Sequence, residues 1–262
     1  MHVLPRSQYH PSGVCGLRAN GGGLHQIIHK TFTPLLRHGQ TLPPGLAPAL
    51  LHRFSSKDGY ETEPQTLAAL RALRDDQRDA TRRTRFEKIV VGVITNSDDR
   101  VPDILSSLSV DVSPLRYGAA AASLPSRQPH DVDFHCMSFD VGVEKPDPRI
   151  FRAAEAMLSQ IIAAREGRNA EDSAAEAQTW EKLYVGDEYA KDVVGARNAG
   201  WKAALLAGDD SQEAADDAPV LDDHPDASSF HGLFSQHDFV AVRSIQNLVD
   251  WVRSEEGVGY PA

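Results

Sequence analysis

The sequence predicts an α/β protein with a doubly wound parallel sheet and a partial helical subdomain ahead of it. Ile89–Thr95 is an apolar, β-branched run, as expected of a central parallel strand whose two faces are both covered. Further strand patterns follow at Phe134–Phe139 and Leu183–Val185, with helical patterns between them. Alternating strands and helices are typical of parallel sheets with helical crossovers.

Three helices are predicted before the first strand. Leu24–Leu36 spaces its apolar residues at i, i+3 and i+4, and a second short helix is expected in Pro44–Phe54. In Tyr60–Asp79, Pro64 marks a helix start and leucines recur at helical spacing. The first two helices are too small a set to form a core of their own.

The elements after Ile89–Thr95 continue the alternation. The remaining predicted helices and strands are Val101–Leu108, a helix from Pro148, a helix in Val193–Gly200, a strand in Lys202–Leu206, a strand at Phe239–Val242 and a closing helix at Ile245–Val252.

We therefore divide the chain into an irregular leader, residues 1–23, a partial helical cap, residues 24–60, and an α/β core, residues 61–262. Three alanine-rich or polar stretches of the core are expected to be insertions, the second of which is alternatively an extended exposed helix that continues the helix from Pro148. They lie near residues 113–133, 163–178 and 209–236.

Composition excludes several classes of protein. A formal charge of −10 argues against nucleic acid or an anionic membrane as the main partner. The two cysteines, Cys15 and Cys136, are far apart and form neither a disulfide framework nor a zinc motif. No stretch has the apolar length of a signal sequence or a membrane span. We expect a cytoplasmic or nuclear protein, and the sequence does not indicate its oligomeric state.

The stretch Lys182–Asp192, KLYVGDEYAKD, carries the first candidate chemistry. Asp187 follows a short apolar strand, and Asp192 comes five residues later at the start of a helical pattern. Ligands bind at the carboxyl ends of parallel strands, and paired carboxylates there suit Mg²⁺. The alternative is structural, with a Gly-Asp turn and Asp192 as a helix N-cap.

Two other strand ends carry groups that suit a phosphate. Thr95 and Asn96 end the first strand, where a hydroxyl and backbone N–H groups can hold an anion. Lys145 is held just before a helix by Pro146, and a fixed ammonium suits a phosphoryl group. The alternatives are a plain capping turn, with Ser97 or Asp98 as the cap, and an ordinary surface lysine.

Three stretches at successive strand ends, VVGVITNSD, EKPDPRIF and LYVGDEYAKD, appear in that order. Together they resemble motifs two, three and four of the haloacid dehalogenase (HAD) superfamily of phosphohydrolases, and most of all the haloacid dehalogenase-like hydrolase domain-containing 3 group. The resemblance implies a Rossmann-like core with a helical cap. It also implies a Mg²⁺-dependent phosphatase that acts on a small phosphorylated molecule through an aspartyl-phosphate.

The resemblance also implies roles for individual residues. Thr95 matches the hydroxyl that holds the phosphoryl group, and Asn96 is its neighbour. Lys145 matches the lysine that neutralises charge on the nucleophile and the phosphoryl group. Asp187 matches a Mg²⁺ ligand, and Asp192 matches the second acid of the metal motif. A phosphoryl transition state needs this kind of charge neutralisation.

One departure limits the function. The family's first motif, DxDx[T/V], ends a central first strand and supplies the nucleophile. The single DxD here, Asp131–Asp133, follows no apolar strand and comes after the second motif, so we interpret it as unrelated. We expect the central first strand to be missing, the chain to be an N-terminally incomplete member, and these residues to be inactive as written. The alternatives are a non-catalytic HAD-like binding or regulatory protein and an unrelated α/β nucleotide binder.

Overall fold

The structure is a computed structural model, and the chain divides into two compact units, residues 1–60 and residues 61–262. No helix among the described residues has the length and apolarity needed to cross a membrane. Most of the predicted leader and most of the expected insertion at 209–236 lie outside those residues. The described residues are 22–63, 65–79, 81, 84–118, 125–206, 218–221, 230–234 and 237–254.

The first unit is helical, as its apolar spacing predicts, and it buries little apolar surface. In its described part Ile28 and Ala47 are buried, whereas Leu35 is 75% exposed. Its elements are helix α1 (Gly22–Phe32), a 3₁₀ turn (Thr33–Leu35), helix α2 (Leu46–Phe54) and a second 3₁₀ turn (Lys57–Gly59).

The second unit alternates strands and helices. Its elements in chain order are α3 (Thr66–Arg78), β1 (Gly92–Thr95), α4 (Val101–Ser107), β2 (Phe134–Met137), α5 (Ser138–Val141), α6 (Pro148–Glu166), α7 (Ala170–Thr179), β3 (Leu183–Gly186), a π-helical turn (Tyr189–Val193), α8 (Val194–Asn198), β4 (Lys202–Leu206), α9 (Phe230–Leu233), β5 (Phe239–Val242) and α10 (Ile245–Arg253).

The five strands of the described residues pair in parallel, in two groups. β1 pairs with β2, with Thr95 opposite Met137. β3, β4 and β5 pair in that order, with Gly186 opposite Leu205. The parallel α/β fold predicted from the sequence is therefore confirmed.

Helices cover both faces of the strands, as a doubly wound sheet requires. In β4, Ala203 and Leu205 join the core on the α6 side, where Phe151 is fully buried. Ala204, on the opposite face, packs in the core that contains Trp251 of α10. Successive side chains of a strand point to opposite faces, so this short strand is buried on both sides.

Some predicted elements differ in extent or burial in the structure. The strand expected over Ile89–Thr95 begins at Gly92, and Ile94 is its one buried residue. The strand expected over Phe134–Phe139 ends at Met137, and residues Ser138–Val141 turn into a short helix. Residues 163–178, expected to be either an extended exposed helix or a mobile insertion, are helical and form the end of α6 and most of α7. Ser173 and Ala177 are fully buried there, because small side chains let α7 pack closely on the core.

Candidate functional site

The backbone of Lys145 is fixed by the side chain of Asn96. The Lys145 N–H donates to Asn96 Oδ1 at 2.6 Å, and Asn96 Nδ2 donates to the Lys145 carbonyl at 3.1 Å. Asn96 follows the last residue of β1, and the cis peptide bond to Pro146 leads from Lys145 towards α6. The two predicted residues thus meet at the carboxyl end of β1.

The Lys145 ammonium is held by two partners. It donates to Asp192 Oδ1 at 2.7 Å and to the Tyr184 hydroxyl at 2.6 Å. The side chains of Lys145 and Asp192 are 11% and 4% exposed, so this ion pair is almost entirely removed from water. The Tyr184 hydroxyl in turn donates to the Ile94 carbonyl of β1 at 2.9 Å.

Asp192 also fixes the turn that follows β3. Its Oδ2 accepts a hydrogen bond from the Glu188 N–H at 3.0 Å. A Cβ at Gly186 would lie 2.2 Å from the same oxygen, closer than any real contact, so only glycine leaves room for this carboxylate. Asp192 lies in the π-helical turn Tyr189–Val193, and it holds Lys145 with one oxygen and the β3 turn with the other.

Tyr184 is the residue of this site that the sequence reasoning missed. Burial raises its pKa, and the nearby Asp192 carboxylate raises it further, so the phenol stays protonated and remains a donor. Its ring packs edge-on against Phe151 at 5.2 Å between ring centroids. A polar-tipped aromatic three residues before Asp187, in an otherwise apolar strand, is the signal that could have indicated it.

Thr95 and Asp187 lie beside this network without joining it. Thr95 ends β1 and is partly buried, and Asp187 follows the last residue of β3 and is exposed. Within the part of the chain that the structure describes, no hydrogen bond or ion pair ties either side chain to Lys145. Of the five predicted site residues, the structure joins Asn96, Lys145 and Asp192 directly and leaves Thr95 at the end of β1 and Asp187 just after β3.

Asp187 and Asp192 could supply only part of the ligand shell of a magnesium ion. The described residues contain no group of three or more His, Cys, Asp or Glu side chains that could hold a metal. Mg²⁺ often uses only one or two carboxylates and completes its shell with water and substrate phosphate. Asp187 suits that role because it is exposed, whereas direct ligation by Asp192 would compete with Lys145 and the Glu188 N–H.

Asp98 follows the Thr95–Asn96 strand end, but the N-cap of α4 is Arg100, without a side-chain cap hydrogen bond, so the expectation that Ser97 or Asp98 caps this helix is wrong. It accepts a hydrogen bond from the Arg100 N–H at 3.2 Å and pairs with the Arg100 guanidinium at 2.8 Å. Burial of Asp98 opposes ionisation, yet the Arg100 hydrogen bonds hold the pKa of Asp98 below its usual value. The Ser97 carbonyl accepts the Phe139 N–H at 3.2 Å. Pairing with Arg100 therefore explains Asp98 but not Thr95 or Asn96.

The DxD stretch lies at the opposite end of the strands. Asp133 comes just before β2, and its N–H donates to the Val91 carbonyl before β1. Its carboxylate pairs with Arg165, and Asp131 pairs with Arg74 at 3.0 Å. These carboxylates stabilise the amino ends of β1 and β2. They are remote from Lys145, which agrees with the interpretation from the sequence.

Cysteine chemistry is also excluded at Cys136. Cys136 of β2 has no exposed surface, and burial raises the pKa of its thiol to about 12. A thiol in that state is neither a nucleophile nor a metal ligand at neutral pH.

Part of this chain is similar to known hydrolases. Residues 143–229 match the family described as HAD-hydrolase-like. An uncharacterized hydrolase of Schizosaccharomyces pombe is 26% identical over 72% of this chain and 62% of its own length. The rhythmically expressed gene 2 protein of Drosophila melanogaster is 30% identical over 46% of this chain and 34% of its own length.

A solved structure, a HAD phosphatase from Thermococcus onnurineus, aligns with a TM-score of 0.45 and 16% identity over 88% of this chain and 72% of its own. The chain spans less than two thirds of the length of the two sequence relatives, 62% and 34%. The comparisons therefore show a similarity to HAD-like hydrolases, with the family match confined to residues 143–229.

Proposed function

We propose that the described core binds the phosphate group of a small phosphorylated molecule together with Mg²⁺, and that the 262 residues as written do not hydrolyse it. The buried Lys145 ammonium between Asp192 and Tyr184 carries the first half of this proposal. A lysine fixed this firmly at a strand end supplies a point charge for a phosphoryl oxygen without further reorganisation.

The site residues have different roles in the proposed binding. Thr95 at the end of β1 offers a hydroxyl to the phosphate, and Asn96 places the Lys145 backbone beside it. Asp187 would hold Mg²⁺ through its exposed carboxylate, and Asp192 would orient Lys145. When bound, the metal would neutralise negative charge on the phosphate.

The second half of the proposal rests on the position of the carboxylates. Asp131 and Asp133, the single DxD of the sequence, form ion pairs with Arg74 and Arg165 at the amino ends of the strands. Asp192 is buried against Lys145, so neither of these sites offers a carboxylate poised to attack a phosphate held at Thr95. Binding without turnover suits a regulatory protein, and turnover would instead make the chain a phosphatase.

Calorimetry with inorganic phosphate and Mg²⁺, together with an aryl phosphate hydrolysis assay, tests both halves. We expect phosphate binding that weakens about ten-fold or more in Lys145→Gln, because a charge-assisted bond is lost. We expect the Mg²⁺ dependence of that binding to disappear in Asp187→Asn. The matched control is Glu171→Gln, which removes an exposed carboxylate on α7.

The outcomes separate the alternatives. Hydrolysis by the wild-type chain that Asp187→Asn abolishes would show that the chain is a phosphatase and contradict the inactivity. A folded chain that binds no phosphate, with or without Mg²⁺, would contradict the binding function itself.

A further inference from the structure

The outer face of α6 borders a cavity of about 840 Å³. The inner face of this helix packs in the core through Ile150, Phe151 and Met157, and none of these three residues lines the cavity. Its volume lies within the range of about 300–1,000 Å³ that small-molecule sites occupy. None of the described residues that line it belongs to the phosphate site proposed above.

Two arginines give this cavity a positive charge. Arg152 of α6 and Arg127, ahead of β2, both line it. Within the part of the chain that the structure describes, neither guanidinium forms a hydrogen bond or an ion pair, whereas Arg149 and Arg165 of α6 are each paired with an aspartate. In a chain with a formal charge of −10, two uncompensated cations on one cavity favour an anionic ligand.

One carboxylate also lines the cavity and does not reverse its charge. Glu155 Oε1 accepts a hydrogen bond from Trp201 Nε1 at 2.9 Å. Because the Trp201 ring packs against the core, this bond holds the Glu155 carboxylate on the core side of the helix. The two guanidiniums outnumber it and have no such partner among the described residues.

The rest of the lining is largely apolar, and small side chains keep the cavity open. Ala156, Ala163 and Ala164 of α6 line it, together with Ala174 of α7. An alanine side chain ends at Cβ, so these residues leave the space beside α6 unfilled. From Ala156 to Gly167 this surface is about 16 Å long, at about 1.5 Å per helical residue.

The lining favours a small molecule over a protein. The centres of protein interfaces are rich in large aromatic side chains and methionine, and alanine is depleted there. The described residues that line the cavity include no Leu, Ile, Val, Met, Phe, Tyr or Trp. A partner helix or a second copy of the chain would therefore find no large apolar side chain to pack against.

We propose that this cavity binds an amphipathic anion, with an unbranched acyl chain along the alanines and a carboxylate at the arginines. We call it the α6 groove, defined by Arg127, Arg152, Ala156, Ala163 and Ala174. Each methylene that the alanine surface removes from water favours binding, and a guanidinium can donate two parallel hydrogen bonds to a carboxylate. This site is independent of the proposed phosphate binding.

Calorimetry with decanoate and the full chain tests the proposal, at concentrations below those at which decanoate forms micelles. Decanoate should bind about ten-fold or more tightly than hexanoate, at about two-fold per methylene for a chain that is covered on one side. Protonated decylamine has the same chain length and the opposite charge. It should bind at least about ten-fold more weakly than decanoate, because it meets the two arginines as a like charge.

Matched variants locate the ligand. Ala174→Phe places a large side chain in the groove and should weaken decanoate binding about ten-fold. Ala175→Phe, at the neighbouring exposed alanine of α7 that does not line the cavity, should leave binding unchanged. Arg152→Gln should weaken binding about three-fold, the effect of one exposed ion pair, and Arg149→Gln should not.

The outcomes decide the proposal. Absence of decanoate binding overturns it, whether the groove is empty in solution or filled by another part of the chain. Equal effects of Ala174→Phe and Ala175→Phe, or decylamine that binds as tightly as decanoate, also overturn it. So does a dimer of the chain that decanoate dissociates, since the occupant is then a second copy. If circular dichroism shows that Ala174→Phe does not fold, Ala156→Phe fills the groove from α6 in its place.

Discussion

His135 is a buried titratable residue outside the candidate site. It is 1% exposed, and its Nε2 has no hydrogen-bond partner among the described residues. Burial lowers the pKa of His135 from 6.5 to about 4. The charged groups that act on it, Arg116 and Asp140, are paired with each other. The neutral imidazole is therefore the form that the folded core accommodates.

The buried site of His135 predicts that the protein loses stability in acid. The folded-state pKa of His135 lies below the unfolded value, so its contribution to stability is complete above about pH 6.5 and is lost as the pH falls to about 4. The loss amounts to about 3 kcal/mol across that window. We expect His135→Leu to flatten this part of the curve, measured by urea unfolding between pH 7 and pH 4.

The control for this prediction is His237→Leu, which removes an exposed histidine of the same unit. If the free energy of unfolding of His135→Leu still falls between pH 7 and pH 4 as it does in the wild-type chain, other groups, such as the buried carboxylates, determine the acid sensitivity.

Lys145 connects elements that are distant in the chain. Its backbone is tied to the end of β1 through Asn96, and its ammonium is tied to β3 and the π-helical turn through Tyr184 and Asp192. No backbone pairing joins β1 to β3 in the described part of the chain. These side chains therefore add a polar link between the two strand groups to the apolar core that β1, β4 and α6 share.

Removing the Lys145 ammonium should destabilise the fold strongly. Lys145→Met leaves the Asp192 carboxylate buried without its cation, which we expect to cost about 3–5 kcal/mol in the free energy of unfolding. The matched control is Lys191→Met. Its exposed pair with Glu188 should contribute no more than about 1 kcal/mol.

A double variant sharpens the test. Adding Asp192→Asn to Lys145→Met removes the unpaired carboxylate charge of Asp192. Part of the lost stability should therefore return in a double-mutant cycle. Equal costs for Lys145→Met and Lys191→Met would mean that the buried ion pair does not connect the strands as described.

Much of this architecture was predictable because it depends on local patterns. Val93 and Ile94 belong to an apolar run that is typical of a strand, and Lys145 precedes a well-marked helix start. The burial of Ala177 was not predictable, because an alanine-rich helix has no strong apolar face until its partner is known. The role of Tyr184 depends equally on Ile94, which is 90 residues away in the chain.

At the scale of the whole molecule, the two units differ in how much core each one holds. Residues 22–60 bury Ile28 and Ala47 and leave most other described side chains partly or fully exposed. Residues 61–262 hold the apolar clusters on both faces of the strands. A helical segment of about 40 residues rarely folds without a disulfide, a metal or a partner.

We therefore expect the two units to behave differently when produced separately. Residues 61–262 should unfold cooperatively by circular dichroism, with a Tm within about 4 °C of the full chain, a shift that corresponds to about 1 kcal/mol. Residues 22–60 should show no cooperative transition, because their few buried side chains cannot offset the loss of chain entropy. If residues 61–262 alone show exposed apolar surface and no transition, the core depends on the helical unit and is not the independent body that its own packing indicates.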